Sequence, residues 1–233
     1  MRPLAVGLAV SVASVAGCGD GEEAPGMRGA LGGSAETRTL ARARLASLPP
    51  GPLAWVAHEV ALDQGRRLES DGGPGFVYVR RGALGELGEG EAVARGVAGT
   101  LVAGSEGAEV WDIRLAAPGS GRQGARRVFE SEPLEGVPER PLATMIEVIL
   151  PPRGGLTTVH THPGPEFIYM TEGKIDYENA LVGVKRLGPA GAEAIPPDTP
   201  VQKRNPYRRE AAFLSWFLVD PGEPFAPGAE FRP

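Results

Sequence analysis

Large apolar residues along this chain come in short runs of about four to eight, bounded by clusters of glycine, proline or aspartate. Leu53–Leu62, Phe76–Val79, Leu142–Leu150 and Phe167–Met170 are the clearest of them. Runs of that length predict short strands stacked as a sandwich or barrel. One segment departs from the pattern. Between Thr39 and Leu48, Leu40, Ala43 or Arg44 and Leu48 recur at helical spacing before Pro49-Pro50 stops the run, so a short N-terminal helix packed on the first domain is expected.

The runs repeat. Leu53-Ala-Trp-Val-Ala-His-Glu-Val-Ala-Leu62, Gly65 and Phe76-Val-Tyr-Val-Arg-Arg-Gly82 lie over Leu142-Ala-Thr-Met-Ile-Glu-Val-Ile-Leu150, Gly154 and Phe167-Ile-Tyr-Met-Thr-Glu-Gly173. The offset drifts only from 89 (Leu53 to Leu142) to 91 (Phe76 to Phe167). Trp111-Asp-Ile-Arg-Leu and Trp216-Phe-Leu-Val-Asp close the two copies, which marks these tryptophans as core rather than interface residues. Two copies of one strand-rich domain are expected, over residues 39–122 and 123–233.

Ahead of them, Met1-Arg2-Pro3 and the apolar stretch Leu4–Ala16 form a segment too short to span a bilayer, with the shape of an export signal over residues 1–17. Residues 18–38, rich in Gly, Glu, Ala and Ser, read as a flexible tether. Val15-Ala16-Gly17-Cys18 resembles the lipobox of bacterial lipoproteins, which implies that Cys18 is lipidated. Cys18 is the chain's one cysteine, so an internal disulfide is excluded. With Gly rather than Asp at position 19, the resemblance implies a bacterial cell-envelope protein, facing periplasm or surface, with the outer membrane favoured.

Composition adds little to this picture but removes one class of partner. Thirty-four glycines and 23 prolines suit a fold of many turns. The net charge is −5 and the two signs are interspersed, which leaves no patch for nucleic acid. The Arg pairs at 66–67, 80–81, 126–127 and 208–209 read as solvated loop or strand-edge residues.

Candidate chemistry is concentrated in Gly154-x5-His160-x-His162-x3-Glu166-x6-Gly173, which holds two of the chain's three histidines. Residues two apart on a strand face the same side, so both imidazoles can address one point. Pro163-Gly164-Pro165 then interrupts the ladder and lets Glu166, opening the next apolar run, reach back to it. The first copy has Glu69-Ser-Asp-Gly-Gly-Pro-Gly75 there and no imidazole, while His58 falls on the preceding strand as a non-ligand. The first domain is expected to be metal-free.

This run is identical to the first motif of the cupin family, and Gly191, Pro197, Thr199, Gln202 and Asn205 resemble parts of its second. The match departs at Thr199, where the family has Gly, and at Gln202, where it has a ligating His. The resemblance covers residues 123–233 well and the first copy only through the repeat. It implies an all-β protein of two tandem double-stranded β-helix barrels, as in bicupins. His160, His162 and Glu166 then become metal ligands, with Gln202 in the fourth ligand's place.

Two imidazoles and one carboxylate suit Fe(II), Mn(II), Ni(II), Co(II) or Zn(II). The resemblance leaves a choice between a dioxygenase acting on a small organic substrate, with Glu166 also serving as proton acceptor, and a non-catalytic envelope module that binds a small molecule or metal. Ile168 and Met170, which share the parity of Glu166, and Met145 and Glu147 on the preceding strand are the expected pocket wall. A homodimer paired through strand edges is a further partner that the family resemblance allows.

Overall fold

A computed structural model describes residues 31–69, 73–95 and 100–232; the export segment and Cys18 lie outside them. The described residues form strands throughout and no helix: β1 (Glu36–Arg44), β2 (Ala54–Leu62), β3 (Arg67–Leu68), β4 (Gly75–Leu84), β5 (Ala92–Ala94), β6 (Leu101–Ala116), β7 (Arg126–Glu130), β8 (Leu142–Leu150), β9 (Gly155–Leu156), β10 (Glu166–Glu172), β11 (Ile175–Asn179), β12 (Gly183–Leu187), β13 (Ala192–Ile195), β14 (Val201–Asn205) and β15 (Ala211–Val219).

In the second half, β8, β15, β10 and β13 lie side by side in one sheet, and β12, β11, β14 and β9 in another. The chain crosses between the sheets as it proceeds, which is the double Greek-key order of a jelly roll, a double-stranded β-helix. Its interior holds Ile146, Val148, Ile168, Met170, Tyr177, Phe213 and Phe217.

The first half repeats one of these sheets. Its order β2-β6-β4-β5 matches β8-β15-β10-β13. The opposing sheet is reduced, among the described residues, to β3 paired with the first residues of β6. Phe76 stands opposite Ile113 as Phe167 stands opposite Trp216, so Ile113 rather than Trp111 is the counterpart of Trp216. The expected match of the two tryptophans is therefore off by two residues. Such a slip keeps the same face, so both still bury in one core.

Each half lends a strand to the other. β1 pairs with β8, and β7 pairs with β2. Both exchanged strands carry a bulge, at Leu40 and at Val128, and both bulged residues pack on the core between the two large sheets. Boundaries at 39 and 122 therefore separate segments in sequence that are interleaved in space. That shared core is aromatic: Phe129 of β7 stacks on Phe167 at 5.0 Å and on Trp216 at 5.2 Å, and Trp55 meets Trp216 edge-on at 6.3 Å.

Two sequence expectations fail at the N-terminus. Residues 39–44 of the expected helix belong to β1, and no helix follows. A ten-residue helix has little stability of its own, and the unpaired edge of β8 offers a ladder that satisfies the same backbone while Leu40 still buries. The expected tether does not extend to 38 either. Leu31 is fully buried among the apolar residues of the second barrel, and Ser34 N–H donates to the Leu156 carbonyl at 2.9 Å.

Candidate metal centre

The stretch that carries both histidines is not a regular strand. Between β9 and β10 the chain is held by single bridges, with His160 paired to Val201 on one side and to Gly228 on the other. From Val159 to Pro163 alternation nevertheless survives: His160 and His162 are buried, while Val159, Thr161 and Pro163 are half-buried. Glu166 opens β10 across the Pro163-Gly164-Pro165 turn. At Gly164 a Cβ would lie 1.9 Å from the Leu218 carbonyl oxygen, so only glycine lets the turn press this closely on β15.

Both imidazoles are fixed by their outer nitrogens. His160 Nδ1 lies 2.8 Å from the Thr158 carbonyl oxygen and His162 Nδ1 2.7 Å from that of Phe225. A carbonyl can only accept, so each Nδ1 carries the proton and each Nε2 keeps its lone pair. Neither Nε2 has a hydrogen-bond partner, although both are buried. Backbone bonds of this kind set the tautomer and orientation of metal-binding histidines. The rings meet near-perpendicular at 4.9 Å, and one ligand atom from each of His160, His162 and Glu166 falls within 4.8 Å of the others. Among the described residues, these three form the one such group.

A fourth side chain, missed by the sequence reading, completes the centre. Along β14, Val201, Lys203 and Asn205 are buried. Lys203 is fully buried, and its ammonium donates to both carboxylate oxygens of Glu166, at 3.1 and 2.9 Å. Ser215 on β15 adds a hydroxyl bond of 2.5 Å to Glu166 Oε1. Gln202, expected as fourth ligand, is one residue out of phase: it is half-buried, and its Nε2 donates to the Thr157 carbonyl at 3.0 Å. Asn205 holds the corner below, donating to the carbonyls of Leu150, Pro151 and Arg209.

The electrostatics follow from burial. Desolvation, with the Lys203 charge added, lowers His160 to about 3, and desolvation lowers His162 to about 4 against a partly opposing Glu166. Burial alone would raise the Glu166 carboxyl, but Lys203, the two imidazoles and Ser215 hold it down at about 2. Near neutral pH the centre is two neutral imidazoles, one carboxylate and one ammonium.

Of the expected pocket wall, Ile168 and Met170 lie in the barrel interior on the parity of Glu166. Met145 and Glu147 do not. In β8 the interior positions are the even ones, Ile146 and Val148, while Met145 is packed in the core between the two halves and Glu147 pairs with Arg38 of β1 at 3.0 Å. The parity expected for β8 differs by one residue from the one it adopts. His58 lies apart from His160, His162 and Glu166: it is buried in the first half, its pKa lowered by burial and by Arg114, near a cluster in which Arg95, Arg114 and Arg122 all reach Asp112.

The centre is closed. His160, His162, Glu166 and Lys203 are each at most 3% exposed. A C-terminal strap covers the ligand stretch, with Thr161 N–H donating to Pro227 O, Ala229 N–H to Val159 O, and the Phe225 ring 5.0 Å from His162. The groove beside it is lined by Thr161, Asp198, Pro200, Gly228 and Arg232, not by the ligands.

No family model matches the chain, and no curated protein matches it. Solved structures that resemble it are cupin-like double-stranded β-helix proteins and enzymes. A cupin-like protein from Thermotoga maritima MSB8 matches at 22% identity over 38% of this chain and 65% of its own, with a TM-score of 0.35. The DMSP lyase DddQ from Ruegeria pomeroyi DSS-3 matches at 24% identity over 34% of this chain and 39% of its own, TM-score 0.31. An oxalate oxidase bound to the substrate analogue glycolate matches at 18% identity over 37% of this chain and 46% of its own, TM-score 0.34. In each case the chain covers less than two thirds of the solved protein.

Proposed function

We propose that this protein is a metal-binding cupin of the bacterial cell envelope, carried there by a lipid on Cys18, whose second barrel takes up one divalent transition-metal ion. The observation that carries the metal assignment is the pair of buried, unpartnered Nε2 lone pairs of His160 and His162, each oriented by a backbone carbonyl and set beside the Glu166 carboxylate. Burying two such acceptors without a partner costs free energy, and an ion accepts both. These three residues would hold the ion, and it would supply Lewis acidity there.

The chain's own groups favour retention of the ion over turnover. The ligands lie under the 225–229 strap, the barrel interior beside them is filled by Phe213, Phe217, Tyr177 and Met170, and the neighbouring groove does not open onto them. A non-catalytic binding module of the cell envelope is the function that fits a sealed centre best. The second reading, a dioxygenase acting on a small organic molecule, is favoured by the donor set, since two histidines and one acid leave coordination positions open. It requires the strap to lift.

Metal analysis tests both. Purified protein exposed separately to Fe(II), Mn(II), Co(II), Ni(II) and Zn(II), then desalted, should retain about one equivalent of at least one ion, and His162→Ala should lose it while keeping its circular dichroism spectrum. Wild-type protein that retains none of them would overturn the proposal. Oxygen consumption by the loaded protein against a panel of small organic acids would move the assignment to the dioxygenase.

A further inference from the structure

Lys203 stands where a metal centre tolerates a cation least. It lies on the interior face of β14, is fully buried, and places its ammonium on both oxygens of the carboxylate that the ion would need. Its position is specified by the strand: Val201 and Asn205, two residues to either side, are also fully buried, and the β14 backbone is locked to β11 through Lys203 opposite Tyr177. Thr157 Oγ1 accepts from Lys203 N–H at 3.1 Å, which ties the same residue to the stretch that carries the histidines.

Taking charges in turn, two neutral imidazoles, Glu166 and Lys203 sum to zero with no ion present. A divalent ion added to this set raises the buried sum to plus two. Replacing the lysine by a neutral residue would make it plus one. Like charges that share one buried carboxylate repel strongly because the surroundings screen them poorly.

We infer that Lys203 is an internal cation that competes with the divalent ion for Glu166 and thereby sets the affinity of the centre. This rests on the metal assignment made above. The centre has two closed states: one in which the ammonium neutralises Glu166 and the fold stands without metal, and one in which the ion takes the carboxylate and the ammonium is displaced. The lysine makes the metal-free state self-sufficient and the metal-bound state conditional on metal supply.

The test is a chelator-competition titration of Zn(II) and Co(II), with the Co(II) absorption spectrum as second readout, on wild type, Lys203→Met, Lys203→Gln and Lys203→Arg. The methionine variant removes the charge and most closely keeps the volume. The glutamine variant keeps a donor for Glu166, in case the bare carboxylate prevents folding. Both neutral variants should bind at least tenfold more tightly than wild type, and metal-free they should melt lower while gaining more from added Zn(II). The arginine variant, which keeps the charge, should bind no more tightly than wild type. If wild type binds but the neutral variants stay within threefold of it, the competition is refuted and the metal assignment stands. If no variant binds either ion, both fall together.

Discussion

Glu166→Gln is the substitution whose cost the structure defines best. In the metal-free protein it leaves the Lys203 ammonium without its counter-charge in a site where the lysine has no exposed surface. Removing one partner of a fully buried pair costs about 3–5 kcal/mol, because the remaining charge keeps its desolvation penalty. Against a typical domain stability of about 5–15 kcal/mol, that is a large fraction. Urea unfolding in the presence of a chelator, followed by tryptophan fluorescence, reads it out, since Trp55 and Trp216 are fully buried in the shared core. The midpoint should fall with little change in slope. Glu166→Gln combined with Lys203→Met should recover much of the loss, as removing both charges leaves no orphan. A loss below about 1 kcal/mol for Glu166→Gln would refute the pairing, since a solvated lysine would not notice the change.

Acidification gives an independent check on the imidazoles. Their folded values of about 3 and 4 lie below the ordinary 6.5, so the unfolded chain takes up protons first and metal-free stability must fall as the pH drops below 6.5. The slope is about 1.4 kcal/mol per pH unit for each histidine, and His162→Gln should reduce it when urea midpoints at several pH values are compared. Glu166 adds its own loss only below about 4.5, as its carboxyl is protonated toward 2. Gly164→Ala should lower the melting temperature and weaken metal retention together, because its methyl would sit 1.9 Å from the Leu218 carbonyl between two ligands; a melt unchanged from wild type would contradict the close approach. Leu31→Ala should cost about 2–5 kcal/mol by urea titration, a result that a loose N-terminal tether at that position would not give.

The second barrel was legible because its signals are local. Apolar runs with turn residues between them give the strands, and the spacing of His160, His162 and Glu166 gives the three candidate ligands that the fold brings together. What failed did so for want of phase. Met145 and Gln202 were assigned faces one residue away from those they occupy, and period-two alternation turns a one-residue error into the opposite face. A signal for Lys203 existed: in Val201-Gln202-Lys203-Arg204-Asn205 it is the one basic residue in phase with Val201. β1 was misread for another reason. Its spacing fits a helix, and only the open edge of β8, over a hundred residues away in sequence for Arg38 and Glu147, decides for a strand. The exchange of β1 and β7 between the two halves leaves no trace in either segment alone.

That exchange bears on the centre through the segments that flank it. The stretch from Leu156 to His162 is bonded to β14, through Thr157 N–H to the Lys203 carbonyl and the reciprocal pair of His160 and Val201, and both termini are also laid against it. Leu31 and Ser34 hold its first residues, through bonds to Thr158 and Leu156, while Pro227, Gly228 and Ala229 hold its last. Phe225 supplies the carbonyl that orients His162, and Thr158, itself held by Leu31, supplies the one that orients His160. The two ligand tautomers are thus set from opposite ends of the described chain. Apolar burial of Leu31 and Phe225 in the second barrel's core is what stabilises those contacts, since single backbone bonds near solvent add little. Sheet strands carry Glu166, Lys203 and Ser215, whereas the two histidines ride on a stretch that β14 and both termini hold together.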